Sequence, residues 1–176
     1  DVRRIHTRLP ISDPRRAVIE LSLFSGPLAA FDQLSDVTIS GLTWELGAGD
    51  GVHIENGRHV VLERCTVRRC GGDGVVVAGG ASNTLHACTV HDLGRGGLRI
   101  DGGDRRTLTP GGHRVEDCVI HDLSRIDRTY TPGAWVGGVG QVIAHNEIDH
   151  VPSSALRVGG NDHLVAGNHI HHVVTE

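Results

Sequence analysis

Two aspartates, Asp104 and Asp162, end copies of one short phrase, Leu98-Arg-Ile-Asp-Gly-Gly-Asp104 and Leu156-Arg-Val-Gly-Gly-Asn-Asp162. A carboxylate pair can hydrolyse an acetal bond: one carboxyl, kept protonated, acts as general acid, and the other as base or nucleophile. A separation of about 6.5–9.5 Å suits inversion through a water, and about 5–5.5 Å suits retention. Arg105 and His163 follow the two aspartates directly and could tune one of them, and Asp127 is a spare acid. The same residues also read as turn formers, because Asp and Asn after glycine are common in turns.

A second set of residues could hold a ligand rather than cut one. Taking alternate residues of the short strand segments as outward gives the column His53, Val76, Arg99, Trp135 and Arg157. Two arginines flanking one of only two tryptophans could stack on a sugar ring and fork onto hydroxyls or carboxylates. A solvated sheet face with an arginine lying over Trp135 fits equally well. Between the strands, Asp104–His113 and Ser124–Gly133 read as enlarged loops, and they carry Arg105, Arg106, Asp127, Arg128 and Tyr130. Loops inserted in one face of a repeat structure are often the binding loops.

Thirteen histidines raise the question of a metal. His91-Asp92, His121-Asp122, Asp149-His150 and His171-His172 recur at one place in a repeat. A ladder of histidine–carboxylate hydrogen bonds explains recurrence in every unit better than zinc does. No metal or other cofactor is therefore expected, with Ca²⁺ at Asp101 and Asp104 as the alternative. Asp50-Gly51 and Asp73-Gly74 precede strands and read as turns, not acids. Neither a phosphate-binding loop nor a nucleophile elbow nor a dinucleotide fingerprint is present.

The elements that must position these groups follow from a repeat. Leu62-Glu-Arg-Cys65-Thr-Val67, Leu85-His-Ala-Cys88-Thr-Val90, Val115-Glu-Asp-Cys118-Val-Ile120, Val142-Ile-Ala-His-Asn146-Glu-Ile148 and Leu164-Val-Ala-Gly-Asn168-His-Ile170 stack in one register. Successive Cys or Asn positions lie 23, 30, 28 and 22 residues apart, a unit of about 22 with enlarged copies. Each unit holds a second alternating segment, such as Gly74-Val-Val-Val-Ala78, closed by glycine. Short strands at this spacing, with 25 glycines between them and no helical period, wind instead of pairing as hairpins. The expected fold is all-β, a right-handed parallel β-helix whose equivalent strands stack at about 4.8 Å. In it Cys65, Cys88, Cys118, Asn146 and Asn168 form one inward row at a bend, the cysteines serving as small buried residues with free thiols.

Composition bounds the rest. The 176 residues are 38% hydrophobic and 22% charged, as in a globular domain. A net charge of −4 with isolated arginine pairs gives no footprint for nucleic acid. No apolar run of about 18 residues suggests a membrane partner. Residues 1–35 carry strand segments at Ala17–Phe24 and Leu28–Leu34, as irregular or first-coil strands, and coils are expected over 36–176. A chain with no methionine that stops in mid-pattern reads as a piece of a longer single β-helix domain. Uncapped terminal coils would invite edge-to-edge self-association.

Gly102-Gly-Asp-Arg-Arg-Thr-Leu-Thr-Pro110, Arg125-Ile-Asp-Arg-Thr-Tyr130, Gly159-Gly-Asn-Asp-His163 and the Ile-His-Asp repeats resemble bacterial right-handed parallel β-helix repeat proteins of the pectate-lyase-like superfamily. Within it they are most similar to β-helical glycoside hydrolases of the fucosidase and xylanase type, over Asp36 to the end. The resemblance implies a secreted or periplasmic carbohydrate-active protein with a poly- or oligosaccharide as partner. It points first to glycoside hydrolysis by an Asp pair. The alternatives are a polysaccharide lyase or epimerase acting on uronates, with an arginine as base, and a non-enzymatic solenoid that binds or supports.

Overall fold

A computed structural model describes residues 22–174. Most of the segment Ala17–Phe24 lies outside the described residues, and its last part, Ser22–Phe24, is not strand. The segment at Leu28–Leu34 forms a strand over Ala29–Asp32.

Each coil contributes one strand to each of three six-stranded parallel sheets, and about six turns wind with the right hand. The first sheet holds Ala29–Asp32, Val52–Glu55, Val75–Ala78, Leu98–Asp101, Ala134–Val136 and Leu156–Val158. The second runs from Ser35–Ser40 to Leu164–Ala166, and the third from Thr43–Glu45 to His169–Val173. Ala29, Val52, Val75 and Leu98 are partners in succession, a step of 23 residues, and Ala134 pairs Leu156 after 22. Among the described residues no helix is long and apolar enough to cross a membrane.

Alternation makes the core. Val52, Ile54, Val75, Val77, Leu98, Ile100, Ala134 and Val136 point inward and are at most 2% exposed. Leu62, Leu85, Val115 and Ile143 close the second wall and Val67, Val90, Ile120 and Ile148 the third. Each buried Val, Leu or Ile is worth about 1.5–3 kcal/mol in transfer from water. In the last coil Val158, Leu164, Val165 and Ile170 keep 41–55% of their surface, because no described strand packs beyond them.

The corner between the second and third sheets has one recurring construction. Gly41, Arg64, Ala87, Asp117, His145 and Gly167 all take left-handed backbone, with φ between 50° and 69°. Such a residue reverses the chain in a single step, at a cost of about 1–2 kcal/mol for a non-glycine. From Arg64 onward, each corner is tied to the preceding coil by the next residue. Cys65, Cys88 and Cys118 direct Sγ at the carbonyls of Ile39, Leu62 and Leu85 in the preceding coil. Asn146 and Asn168 donate Nδ2 to the corresponding carbonyls of Val115 and Ile143. Cys65, Cys88, Cys118 and Asn146 are buried, and all four cysteines are free thiols.

A second polar row runs inside the opposite corner, on the same spacing of 30, 28 and 22 residues but with mixed residue types. Asn83 N–H donates to His113 Nδ1 at 3.2 Å, His113 N–H to Gln141 Oε1 at 2.9 Å, and Gln141 N–H to His163 Nδ1 at 3.1 Å. Asn83, His113 and Gln141 are at most 1% exposed, so these bonds satisfy backbone groups that water cannot reach.

Both enlargements leave the coil, and the first is not an open loop. Gly103–Asp104 and Thr109–Pro110 pair antiparallel as a small hairpin. The second, Ser124–Gly133, folds back over the preceding coil through Arg125 N–H to Leu93 O and Ile126 N–H to Gly94 O. Thr131 pins it: its buried hydroxyl lies 2.6 Å from the Asp127 carbonyl and 2.7 Å from the Ser124 hydroxyl.

Candidate functional site

The outward column of the first sheet is continuous in register: His53 pairs Val76, Val76 pairs Arg99, Arg99 pairs Trp135 and Trp135 pairs Arg157. The Arg99 guanidinium carbon stands 5.1 Å from the Trp135 ring centroid, within cation–π range. The ring lies over Gly137, where a Cβ would come within 2.6 Å of it. A glycine at that position therefore lets the indole lie along the sheet.

A cleft of about 270 Å³ opens at the N-terminal end of these strands. Arg95, Arg99 and Arg157 line it with Trp135, Tyr130 and Asp73. Tyr130 is 82% exposed and is delivered by the Ser124–Gly133 excursion. Arg95 Nε also pairs with Asp127 Oδ2 at 3.2 Å, which brings a second acid beside the cleft. The volume, a little below the usual ligand-pocket range of about 300–1,000 Å³, suits one or two sugar rings.

Asp73 supplies the one carboxyl among the residues lining this cleft. Burial raises its carboxyl above its ordinary 3.8, and the neighbouring Asp50 charge adds to this. Arg95, the Gly96 N–H and Arg99 pull the other way. Its Oδ1 accepts the Gly96 N–H at 2.9 Å, and its own N–H donates to Asp50 Oδ1 at 2.7 Å. Asp50 in turn meets His53 Nε2 at 2.8 Å. The expectation that Asp73 is a turn residue and not an acid is therefore half right: one oxygen does turn work, while the side chain also lines the cleft. The repeat held a usable signal, since Asp73 lies three residues before Val76, just as Asp50 lies three before His53. Both are aligned with the outward column.

The other sequence candidates are distributed differently. Asp104 is exposed in the hairpin, where Oδ1 accepts the Arg106 N–H at 2.8 Å as a turn acceptor. Asp162 is exposed and takes left-handed backbone, φ 57°. Asp104 does not stack over Gly140 as the repeat alignment has it: a Cβ on Gly140 would meet Pro110, and one on Gly138 would meet Gly102. The hairpin removes residues 103–110 from the coil path, so Asp104 has no rung partner. Arg105 Nε reaches across to Asn161 Oδ1 at 3.4 Å, which ties the hairpin to the turn that holds Asp162. His163 has no ring nitrogen free for a sugar, because Nδ1 accepts from Gln141 and Nε2 lies 3.1 Å from the Gly159 carbonyl. Arg128 is exposed on the second excursion. Asp104, Asp162, Arg105 and His163 thus gather at the C-terminal end of the first-sheet strands, and the cleft lies at the other end.

The histidine ladders are present. His91 and His121 stack with centroids 4.8 Å apart and planes 2° from parallel, each bonded to its own Asp92 or Asp122. His150 meets Asp149 and stacks on His172 at 5.1 Å.

Residues 12–124 match the family described as a right handed beta helix region. No curated protein matches the chain. Among solved structures, the chain is similar to the A-module of the mannuronan C-5 epimerase AlgE4 of Azotobacter vinelandii. The TM-score is 0.52 at 16% identity, covering 85% of this chain and 54% of that one. The chain thus spans about half the length of that module, and at this identity the likeness concerns the fold.

Proposed function

The chain belongs to the right-handed β-helix family, and on that premise we propose that its first-sheet cleft binds an acidic oligosaccharide and hydrolyses a glycosidic bond in it. The observation that carries this reading is Asp73, an acid raised by burial in a cleft whose other polar groups are mainly arginines. Three guanidinium groups suit the carboxylates of a uronate chain, and Trp135 and Tyr130 suit the apolar faces of its rings. Protonated Asp73 gives its proton to the glycosidic oxygen as the bond to the anomeric carbon breaks. Asp127, held beside the cleft by its ion pair with Arg95, takes a proton from the water that attacks that carbon. A similar fold in a protein named as a mannuronan epimerase supports the substrate class. A polysaccharide substrate in turn supports the secreted or periplasmic location.

The arginine set favours a second reading, β-elimination, in which neutralising the uronate acidifies the proton next to its carboxylate. One of the cleft arginines, in its neutral form, would take that proton as base, Asp73 would again protonate the departing oxygen, and no water would be consumed. The test is a panel of acidic and neutral polysaccharides followed for reducing ends and ultraviolet absorbance. Hydrolysis gives reducing ends without absorbance, whereas elimination gives both. Asp73→Asn is expected to abolish product, while Asp104→Asn and Asp162→Asn retain it. Full activity in Asp73→Asn would overturn the assignment.

A further inference from the structure

The last two coils of the third sheet break the histidine ladder pattern in one place. Outward positions there are Thr89 and His91, then Val119 and His121, then Glu147 and Asp149, then His169 and His171. Strand alternation puts His169 and His171 on one face, and Glu147 is the register partner of His169. Among the described residues, this is the one group of three whose ligating atoms all lie within 4.8 Å of one another. The imidazole rings of His169 and His171 stand 4.5 Å apart by centroid. His171 Nε2 lies 3.1 Å from Glu147 Oε1.

We propose that Glu147, His169 and His171 form a binding site for Zn²⁺, separate from the cleft, that clamps the last coil to the one before it. The donor set is right in kind: two imidazoles and one carboxylate leave the fourth tetrahedral position to water. Its size is also right. Bonds of about 2.0–2.2 Å place tetrahedral donors roughly 3.3–3.5 Å apart, and the His171–Glu147 edge is already near that length. His172 supplies the outer contact a metal-bound histidine needs. With its ring hydrogen on Nδ1, His171 donates to His172 Nδ1 at 2.7 Å and turns a bare Nε2 toward Glu147. Earlier rungs lack this convergence, because His91 and His121 are each bonded to the aspartate that follows them, and Thr89 and Val119 stand where Glu147 and His169 stand here.

The experiment titrates the whole chain with Co²⁺, whose visible absorption reports four-coordinate nitrogen and oxygen ligation, and then displaces it with Zn²⁺. One equivalent is expected to bind and to raise the thermal midpoint. His169→Ala and His171→Ala should each remove the band, and His172→Ala should weaken affinity about 10- to 100-fold. His121→Ala, in the ladder below, should leave binding unchanged. Glu147→Ala tests the same site from an exposed position of the preceding coil, should a histidine variant loosen the last one. Absence of saturable binding, or binding that survives the His169→Ala/His171→Ala double variant, would overturn the proposal.

Discussion

Arg99 and Trp135 are 36 residues apart in sequence and direct register partners in the first sheet, with the guanidinium carbon 5.1 Å from the indole centroid. Their pairing makes the exposed face both apolar and cationic, the combination an acidic sugar ring would use.

Trp135→Ala should therefore weaken binding of an acidic oligosaccharide at least about tenfold, or ~1.4 kcal/mol. Arg99→Ala should lower affinity for the acidic ligand more than for a neutral analogue. Calorimetric titration of both variants checks this, with far-ultraviolet dichroism confirming that the coils are intact.

Asp73 should leave a pH signature on stability. Because its folded pKa lies above the ordinary 3.8, the folded chain holds the proton more tightly than the unfolded chain. The group's contribution is then full below about pH 3.8 and is lost as pH rises through the folded value. Asp73→Asn, which keeps an acceptor for the Gly96 N–H, should gain stability relative to the parent across that window and hold a constant difference above it. Urea midpoints at a series of pH values measure the effect. Activity should fall on the alkaline side of the same window, as the acid form is depleted.

Asn146 should be costly to truncate. It accepts the Cys118 N–H at 2.9 Å and donates to the Val115 carbonyl at 2.9 Å, and it is 1% exposed. Asn146→Ala strands both groups out of reach of water, at about 1–3 kcal/mol each. Asn146→Cys restores the donor found at Cys118 and should recover part of the loss. Chemical denaturation of the two variants distinguishes them.

Gly138 should not tolerate alanine. It has φ 75°, and an added Cβ would sit 1.9 Å from the Gly102 carbonyl oxygen in the adjacent coil. The backbone conformation alone costs about 1–2 kcal/mol for a non-glycine, and the clash with backbone adds to it. Gly138→Ala is expected to destabilise by at least about 3 kcal/mol, whereas Gly159→Ala, with open space at Cβ, should cost less than about 1 kcal/mol. Thermal midpoints compare the pair.

The repeat was legible because every coil repeats the same physical problem. Cys65, Cys88, Cys118, Asn146 and Asn168 recur because each corner needs a small inward donor for the carbonyl of the preceding coil. Arg99, Trp135 and Arg157 could be aligned for the same reason. The row Asn83, His113, Gln141 and His163 was not legible, because three residue types, Asn, His and Gln, meet one need. Asp73 reads as a turn residue in sequence, and its place in the cleft depends on what the tertiary structure sets beside it. The repeat aligns it with Asp50, and the neighbouring arginines and the Ser124–Gly133 excursion set it apart.

The sequence by itself determined the solenoid: its alternation, its period of 22–23 residues, the inward Cys and Asn row and the outward arginine–tryptophan column. Local periodicity suffices for these, since each residue's direction follows from its place in a short strand and its partner lies one coil away. Only the tertiary structure decided where the excursions go. Residues 103–110 leave the coil as a hairpin, which takes Asp104 off its rung, and Ser124–Gly133 folds back to bring Tyr130 and Asp127 beside Arg95 and Asp73. An excursion's course depends on hydrogen bonds such as Ile126 N–H to Gly94 O, made to coils distant in sequence, and no repeat spacing records them.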